Sequence, residues 1–167
     1  TLVHGTELTL RDLRSRNRRI LWTDAAKIFA NIADVWSEAE IERIARGFFR
    51  SPLLSVFAVV PRLLFNVTEY YNWLISERGQ GYRIVPSVDA HPERHGTDHL
   101  TVTFKMHPGY DVVPAYFVAT KGIFSEMTAQ LGHEAARVDL QLSATGAVFD
   151  IHHPTGGGAL AFVRRRV

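Results

Sequence analysis

The chain has 167 residues, of which 46% are hydrophobic and 22% charged, with a formal net charge of +2. That is enough for one domain with a real core, and the composition excludes a disordered chain. Cysteine is absent, which rules out disulfides, thiolate metal sites and cysteine nucleophiles, and no apolar run reaches the roughly 20 residues that span a bilayer.

The first half reads as helices. Residues 6–16 carry Leu8, Leu10 and Leu13 in a weak helical pattern, and Thr23 can cap a second helix with Ile28, Phe29 and Ile32 on one face. Ser37-Glu38-Ala39-Glu40 is a capping box, in which the serine hydroxyl takes the third amide and the glutamate returns to the serine amide. The helix it starts has Ile41, Ile44, Ala45, Phe48 and Phe49 at amphipathic spacing. Ser51-Pro52 begins another helix, because proline at the first helical position loses no hydrogen bond. Residues 53–65 are apolar almost all round, with Pro61 ending or kinking the run. Asn66 or Thr68 caps the next helix, which carries Tyr70, Tyr71, Trp73 and Leu74, and Gly79 and Gly81 close the helical half.

The second half is mixed. Residues 82–88 read as a strand, followed by a polar loop over 89–98 that holds His91, Pro92, His95 and Gly96. Residues 99–106 alternate, with Leu100, Val102, Phe104 and Met106 on one face. After the turn at Pro108-Gly109, a long helix over 114–131 places Val113, Tyr116, Phe117, Thr120, Phe124, Met127 and Leu131 along one stripe and stops at Gly132. A hairpin closes the domain: strands 137–142 and 147–152 turn at Ala144-Thr145-Gly146, with Val138, Leu140, Leu142, Ala147, Phe149 and Ile151 facing the core. The expected fold is therefore α+β, a helical N-terminal half packed on a small antiparallel sheet with one long helix across it. The domain covers residues 1–155. Gly156, Gly157 and Gly158 form a hinge, and 156–167 start a connector to a further module, as both ends look cut from a longer protein.

Residues able to do chemistry are few. The arginines at 11, 14, 16, 18 and 19, and at 164–166, read as a solvated face and not as a nucleic-acid surface. His91, His95 and His99 are spaced by four but straddle a proline and glycine loop. His152 and His153 are adjacent in a strand and point to opposite faces. No metal ligands are assigned from these spacings. There is no GxSxG elbow, and the triple glycine lacks both a Walker lysine and a GxGxxG context. Asp139 and Asp150 on neighbouring strands read as the solvated face of the hairpin. No catalytic residue is assigned. The aromatic residues converge between the helices and the sheet, where tyrosines can line a small-molecule pocket. Tyr71, Tyr82, Tyr116, Phe117 and Phe124 are the expected lining.

The run GYDVVPAYFVATKGIFSEMTAQLGHEAARVDLQLSATGAVFDIHHP resembles the end of the sensor domains grouped with H-NOX haem domains and 4-vinyl-reductase ligand-binding domains. Lys121-Gly122-Ile123-Phe124 is similar to their "RGilea" helix, and residues 146–154 to their final strand, written "YdIxwP". The helical front, NRRILWTDAAKIFANIADVWSEAEIERIARGFFRSPLLSVFAVVPRLLFNVTEYYNWL, resembles sensory regions ahead of bacterial histidine kinases and nucleotide cyclases. The resemblance implies the α+β fold shared with the TRAPP transport subunits. It also implies a non-catalytic cytoplasmic sensor that binds a small or hydrophobic ligand, forms a homodimer, and controls a kinase or cyclase downstream in the same chain. Haem-binding H-NOX domains carry a YxSxR motif. Tyr82-Arg83-Ile84-Val85-Pro86 departs from it and no histidine falls within a helix, which argues against haem. The 4-vinyl-reductase cysteines are missing as well. Two alternatives stay open: a ligand-free dimerisation or scaffold module, and a small hydrolase or metalloenzyme using His107, His152 or His153. Ala159, Leu160, Phe162 and Val163 are the apolar residues expected to pack a connector in the dimer.

Overall fold

The computed structural model describes residues 1–15, 18–50, 65–76 and 85–155. The helix expected from Ser51, Pro61, Tyr82 to Ile84 of the first expected strand, and the connector with Ala159, Leu160, Phe162 and Val163 lie outside the described residues. The helices are α1 (Leu10–Leu13), α2 (Trp22–Ala33), α3 (Glu38–Arg46), α4 (Val67–Ile75) and α5 (Pro114–Gln130), with a 3-10 turn at Phe48–Arg50. The strands are β1 (Val88–Arg94), β2 (His99–Met106), β3 (Arg137–Ser143) and β4 (Gly146–His152). They form one antiparallel sheet in the order β1-β2-β4-β3. This is the α+β arrangement expected from the sequence.

Local signals set most helix starts. Ser37 accepts from the Glu40 amide at 3.4 Å, and the Glu40 carboxylate accepts from the Ser37 amide at 2.9 Å. Asn66, not Thr68, caps α4, by the same reciprocal pair with Glu69, each bond 2.9 Å. Two expectations need correction. Of residues 6–15 only Leu10–Leu13 is helical, because Thr9 and Asp12 form a capping box that starts the helix late. Thr23 does not cap α2: the helix begins at Trp22 with no side-chain cap, and the Trp22 indole instead donates to the Asp111 carbonyl at 3.1 Å. The start of α2 is thus held by a tertiary bond.

The polar stretch after residue 88 is a strand, not a loop. β1 pairs with β2 along its length, Ala90 against Phe104 and Pro92 against Val102. Proline is tolerated there because β1 is an edge strand, where a missing donor faces away from the ladder. β2 follows the expected alternation, and so does the final hairpin except at Leu142, expected to face the core but 45% exposed near the end of β3, beyond the edge of the covered face. Leu100, Val102, Phe104 and Met106 are buried on one side, and Phe149 and Ile151 beside them are wholly covered.

α5 lies across this buried face, and its C-terminus is a Schellman stop. Gly132 at φ 86° lets its amide reach the Ala129 carbonyl at 3.0 Å and the His133 amide reach Thr128 at 3.2 Å. The helix is not buried along one stripe only. Phe117, Phe124, Met127 and Leu131 pack on the sheet, whereas Ala115 and Val118 pack with Ile41 of α3 and with Phe29, Ile32 and Trp36. The layers run sheet, α5, then α2 with α3, so the front helices rest mainly on α5. Consequently the expected stripe is divided: Ile41 is buried but Ile44 is 46% exposed, and α3 ends at Arg46, so Phe48 and Phe49 belong to the 3-10 turn and not to the helix, with Phe48 49% exposed. Across this second interface Glu42 accepts from Lys121 at 2.8 Å, and within α3 it accepts from Arg46 at 2.6 Å. Partial burial raises the Glu42 carboxyl, but these two cations outweigh it and hold the group below its ordinary range.

Candidate functional site

Where α4 and α5 meet the sheet, the rings interlock. Phe149 contacts Phe124 edge-on at 5.0 Å between centroids, Phe104 at 5.2 Å, and Phe117 at 6.4 Å. Tyr71 reaches the same group from α4, meeting Phe124 edge-on at 6.2 Å. Its hydroxyl donates to the Phe124 carbonyl at 2.6 Å, so a wholly buried tyrosine satisfies its polar end internally. Burial also pushes its ionisation far up.

Of the five residues expected to line a pocket, the structure brings Tyr71, Phe117 and Phe124 together. Tyr116 stands one ring away, 5.1 Å from Phe117, and turns toward α2, where it meets Trp22 at 5.0 Å and Phe29 at 5.6 Å. Burial pushes its hydroxyl up to about 12, against a smaller opposing effect of a hydrogen bond with Thr120. Tyr82 lies outside the described residues. A separate surface groove of about 420 Å³ is lined by Leu2, Ile32, Val35 and Trp36 among others, and none of Tyr71, Tyr116, Phe117 and Phe124 borders it.

His153 sits at the edge of the aromatic group and is itself buried. Its ring stacks on Tyr71 at 5.9 Å, its Nδ1 lies 3.1 Å from the Pro154 carbonyl, and its Nε2 lies 3.5 Å from the Thr68 hydroxyl. A carbonyl only accepts, so the neutral ring carries its proton on Nδ1 and Nε2 accepts from Thr68. Burial lowers its proton affinity below the ordinary histidine value. The unfolded chain then binds the extra proton first, and stability falls as the pH drops through the unfolded value of about 6.5. We expect thermal melts of the wild-type chain to lose more stability between pH 7 and pH 5 than those of His153→Gln. Equal slopes would show that His153 is not a neutral interior group.

The other histidines proposed for chemistry do not share a site. His107 lies 2.8 Å from Asp89 beyond the end of β2. His152 pairs with His99 at the opposite end, about 25 Å away along an extended strand. His152 faces outward and His153 inward, as strand alternation requires. The structure does assemble a group not singled out from sequence. On the outer face of the sheet, His99 and His152 stack at 4.2 Å with an 11° interplanar angle. Asp150 is their common partner, with Oδ1 2.5 Å from His99 and Oδ2 3.3 Å from His152. The hydrogen bond from His99 holds the Asp150 carboxyl low, against a smaller effect of burial. The signal for this group was the β2–β4 register, which sets His99 opposite His152 and Thr101 opposite Asp150.

A mutant H-NOX protein from K. algicida, crystallised as Fe(II) unliganded, superposes over 96% of this chain and 86% of its own, with a TM-score of 0.57 and 13% identity. The chain has an H-NOX-like fold. The sequence matches no protein-family model and no curated protein. An H-NOX-like fold raises the question of haem, whose iron needs an axial side chain with a free lone pair. All 8 histidines fall among the described residues, and none is on a helix. The one that is buried, His153, has both nitrogens engaged. The histidines of this H-NOX-like chain therefore do not fit a haem.

Proposed function

We propose that this chain is the sensory domain of a bacterial signal-transduction protein, non-catalytic in itself, controlling an attached histidine kinase or nucleotide cyclase. The observation that supports it most is the H-NOX-like fold over 96% of the chain. The ligand in this reading is small and apolar, held by Tyr71, Tyr82, Tyr116, Phe117 and Phe124. The internally satisfied Tyr71 hydroxyl favours a ligand recognised by ring faces and not by hydrogen bonds. The domain works in the cytoplasm as a homodimer, with residues 156–167 as the connector. Among the described residues no helix is long and apolar enough to cross a membrane. Signal transfer requires that the ligand bind the two arrangements of the dimer with different affinities.

One observation favours a second reading, a ligand-free scaffold. Tyr71, Phe117 and Phe149 are completely covered by the rest of the protein, as in an ordinary packed core. A single experiment separates the two. Tyr116→Ala is titrated with the apolar fluorophore N-phenylnaphthylamine, beside thermal melts of the same variant. The sensory reading expects probe affinity to fall about tenfold, a loss of ~1.4 kcal/mol, with a smaller fall in folding stability. If wild type takes up no probe, or if stability falls as far as affinity, Tyr116 is core and the scaffold reading stands. Sedimentation of the 167-residue chain tests the dimer directly, and a monomer at high concentration removes it.

A further inference from the structure

We propose that the outer face of the sheet binds one divalent transition-metal ion of the zinc class through His99, Asp150 and His152. The strand register builds the site. His99 on β2 and His152 on β4 are directly opposed, and Asp150 precedes His152 by two residues, on the same face. The possible ligand atoms of the three residues all lie within 4.8 Å of one another. The parallel stacking of the imidazoles turns both Nε2 atoms toward one carboxylate. Two imidazole N–H groups converging on an anion mark the place a cation takes when it replaces their protons.

The fit is close but requires a small opening. Zinc bonds of ~2.0–2.1 Å at tetrahedral angles put neighbouring ligand atoms ~3.3 Å apart. The Asp150–His152 separation is already 3.3 Å, and the Asp150–His99 contact of 2.5 Å has to widen. Both partners are partly exposed, 29% for His99 and 36% for Asp150, so side-chain rotation is sufficient. His152 is 47% exposed, and the open side leaves the fourth position to water. Outer contacts already orient the ligands. Thr101 donates to Asp150 Oδ1 at 3.4 Å, and His95 is 2.9 Å from the Thr101 hydroxyl.

The local charge also suits a cation. Arg137 stands opposite His152, but its guanidinium is held by Asp139 at 2.8 Å, and Asp139 is itself opposite Asp150. Two nitrogens and one carboxylate select the borderline transition metals over magnesium or calcium, which prefer all-oxygen shells. The ion would bridge β2 and β4, joining the two central strands from the face that α5 does not cover. Its residues are separate from the aromatic group, so the sensory reading and this one fail independently.

The test is calorimetric titration of metal-stripped protein with Zn²⁺ alone. We expect one ion per chain in wild type. Asp150→Asn and His99→Gln should each weaken binding roughly 100-fold, the upper end of what even indirect partners of a metal cost. His107→Gln removes a His–Asp contact at the far end of β2 and should leave the affinity unchanged. Co²⁺ in place of Zn²⁺ should give the intense visible bands of a tetrahedral ion in wild type and lose them in Asp150→Asn, a readout that needs no comparison of stabilities. No Zn²⁺ uptake by wild type, equal affinity in Asp150→Asn, or loss of binding in His107→Gln would each overturn the proposal.

Discussion

Phe149→Ala is expected to destabilise the fold by about 3–5 kcal/mol, the usual cost of emptying an aromatic site in a packed core. Phe149 is wholly buried at the centre of β4, with Val102 and Leu140 opposite it on the flanking strands. Three other phenylalanines close on its ring, Phe104, Phe117 and Phe124. α5 is held from behind by α3, so relaxation is restricted. For a chain of this size the loss corresponds to a melting temperature lower by roughly 10 °C. Urea denaturation is the measurement. A midpoint shift worth less than about 1 kcal/mol would mean the sheet and α5 do not meet at this residue.

Gly122→Ala is the second large effect, and two principles oppose each other there. By helix propensity alone, alanine in the middle of α5 should stabilise by about 1 kcal/mol. Packing predicts the reverse. A β-carbon at residue 122 would collide with the Glu42 backbone carbonyl and stand 3.1 Å from the Ala45 β-carbon, both on α3. A backbone carbonyl in a helix cannot rotate away, so α3 itself has to move. Overpacking of this kind costs about 1–3 kcal/mol, and it outweighs the propensity gain. The displaced helix should also loosen the contacts of Glu42 with Lys121 and Arg46, letting the Glu42 carboxyl rise toward its ordinary range. Denaturant melts give the sign, and NMR titration of Glu42 gives the cause. A more stable Gly122→Ala protein would mean that α3 and α5 do not approach so closely.

Gly122 also shows how the sequence was legible in one respect and silent in another. In the run Lys121-Gly122-Ile123-Phe124 it is a visible break in helix propensity, and Phe124 beside it is plainly core. What the glycine is for depends on α3, nearly eighty residues earlier in the chain. Ala115 and Val118 were likewise readable as apolar but not as a second buried face, because periodicity in one helix does not say how many partners it has. The aromatic site divides in the same way. Tyr71, Phe117 and Phe124 were named from sequence and do meet, whereas Tyr116 is turned toward Trp22 and Phe29. The side it faces follows from the rotation of α5 between its neighbours.

By itself, the sequence determined the features that depend on neighbours a few residues apart. These are the capping boxes at Ser37 and Asn66, the alternation of β2, the final hairpin and the Schellman stop at Gly132. Each is closed by hydrogen bonds or burial patterns within one turn or one strand, so local chemistry is sufficient to specify it. Only the tertiary structure decided that residues 88–94 are a strand, that α5 is buried on two faces, and that His99 and His152 share an aspartate. Those outcomes rest on strand register and helix layering, which join partners on different elements, from Arg94 with Leu100 to Ile41 with Val118. No local pattern records them, because the same polar and histidine-bearing segments satisfy a solvated loop equally well until a partner strand is supplied.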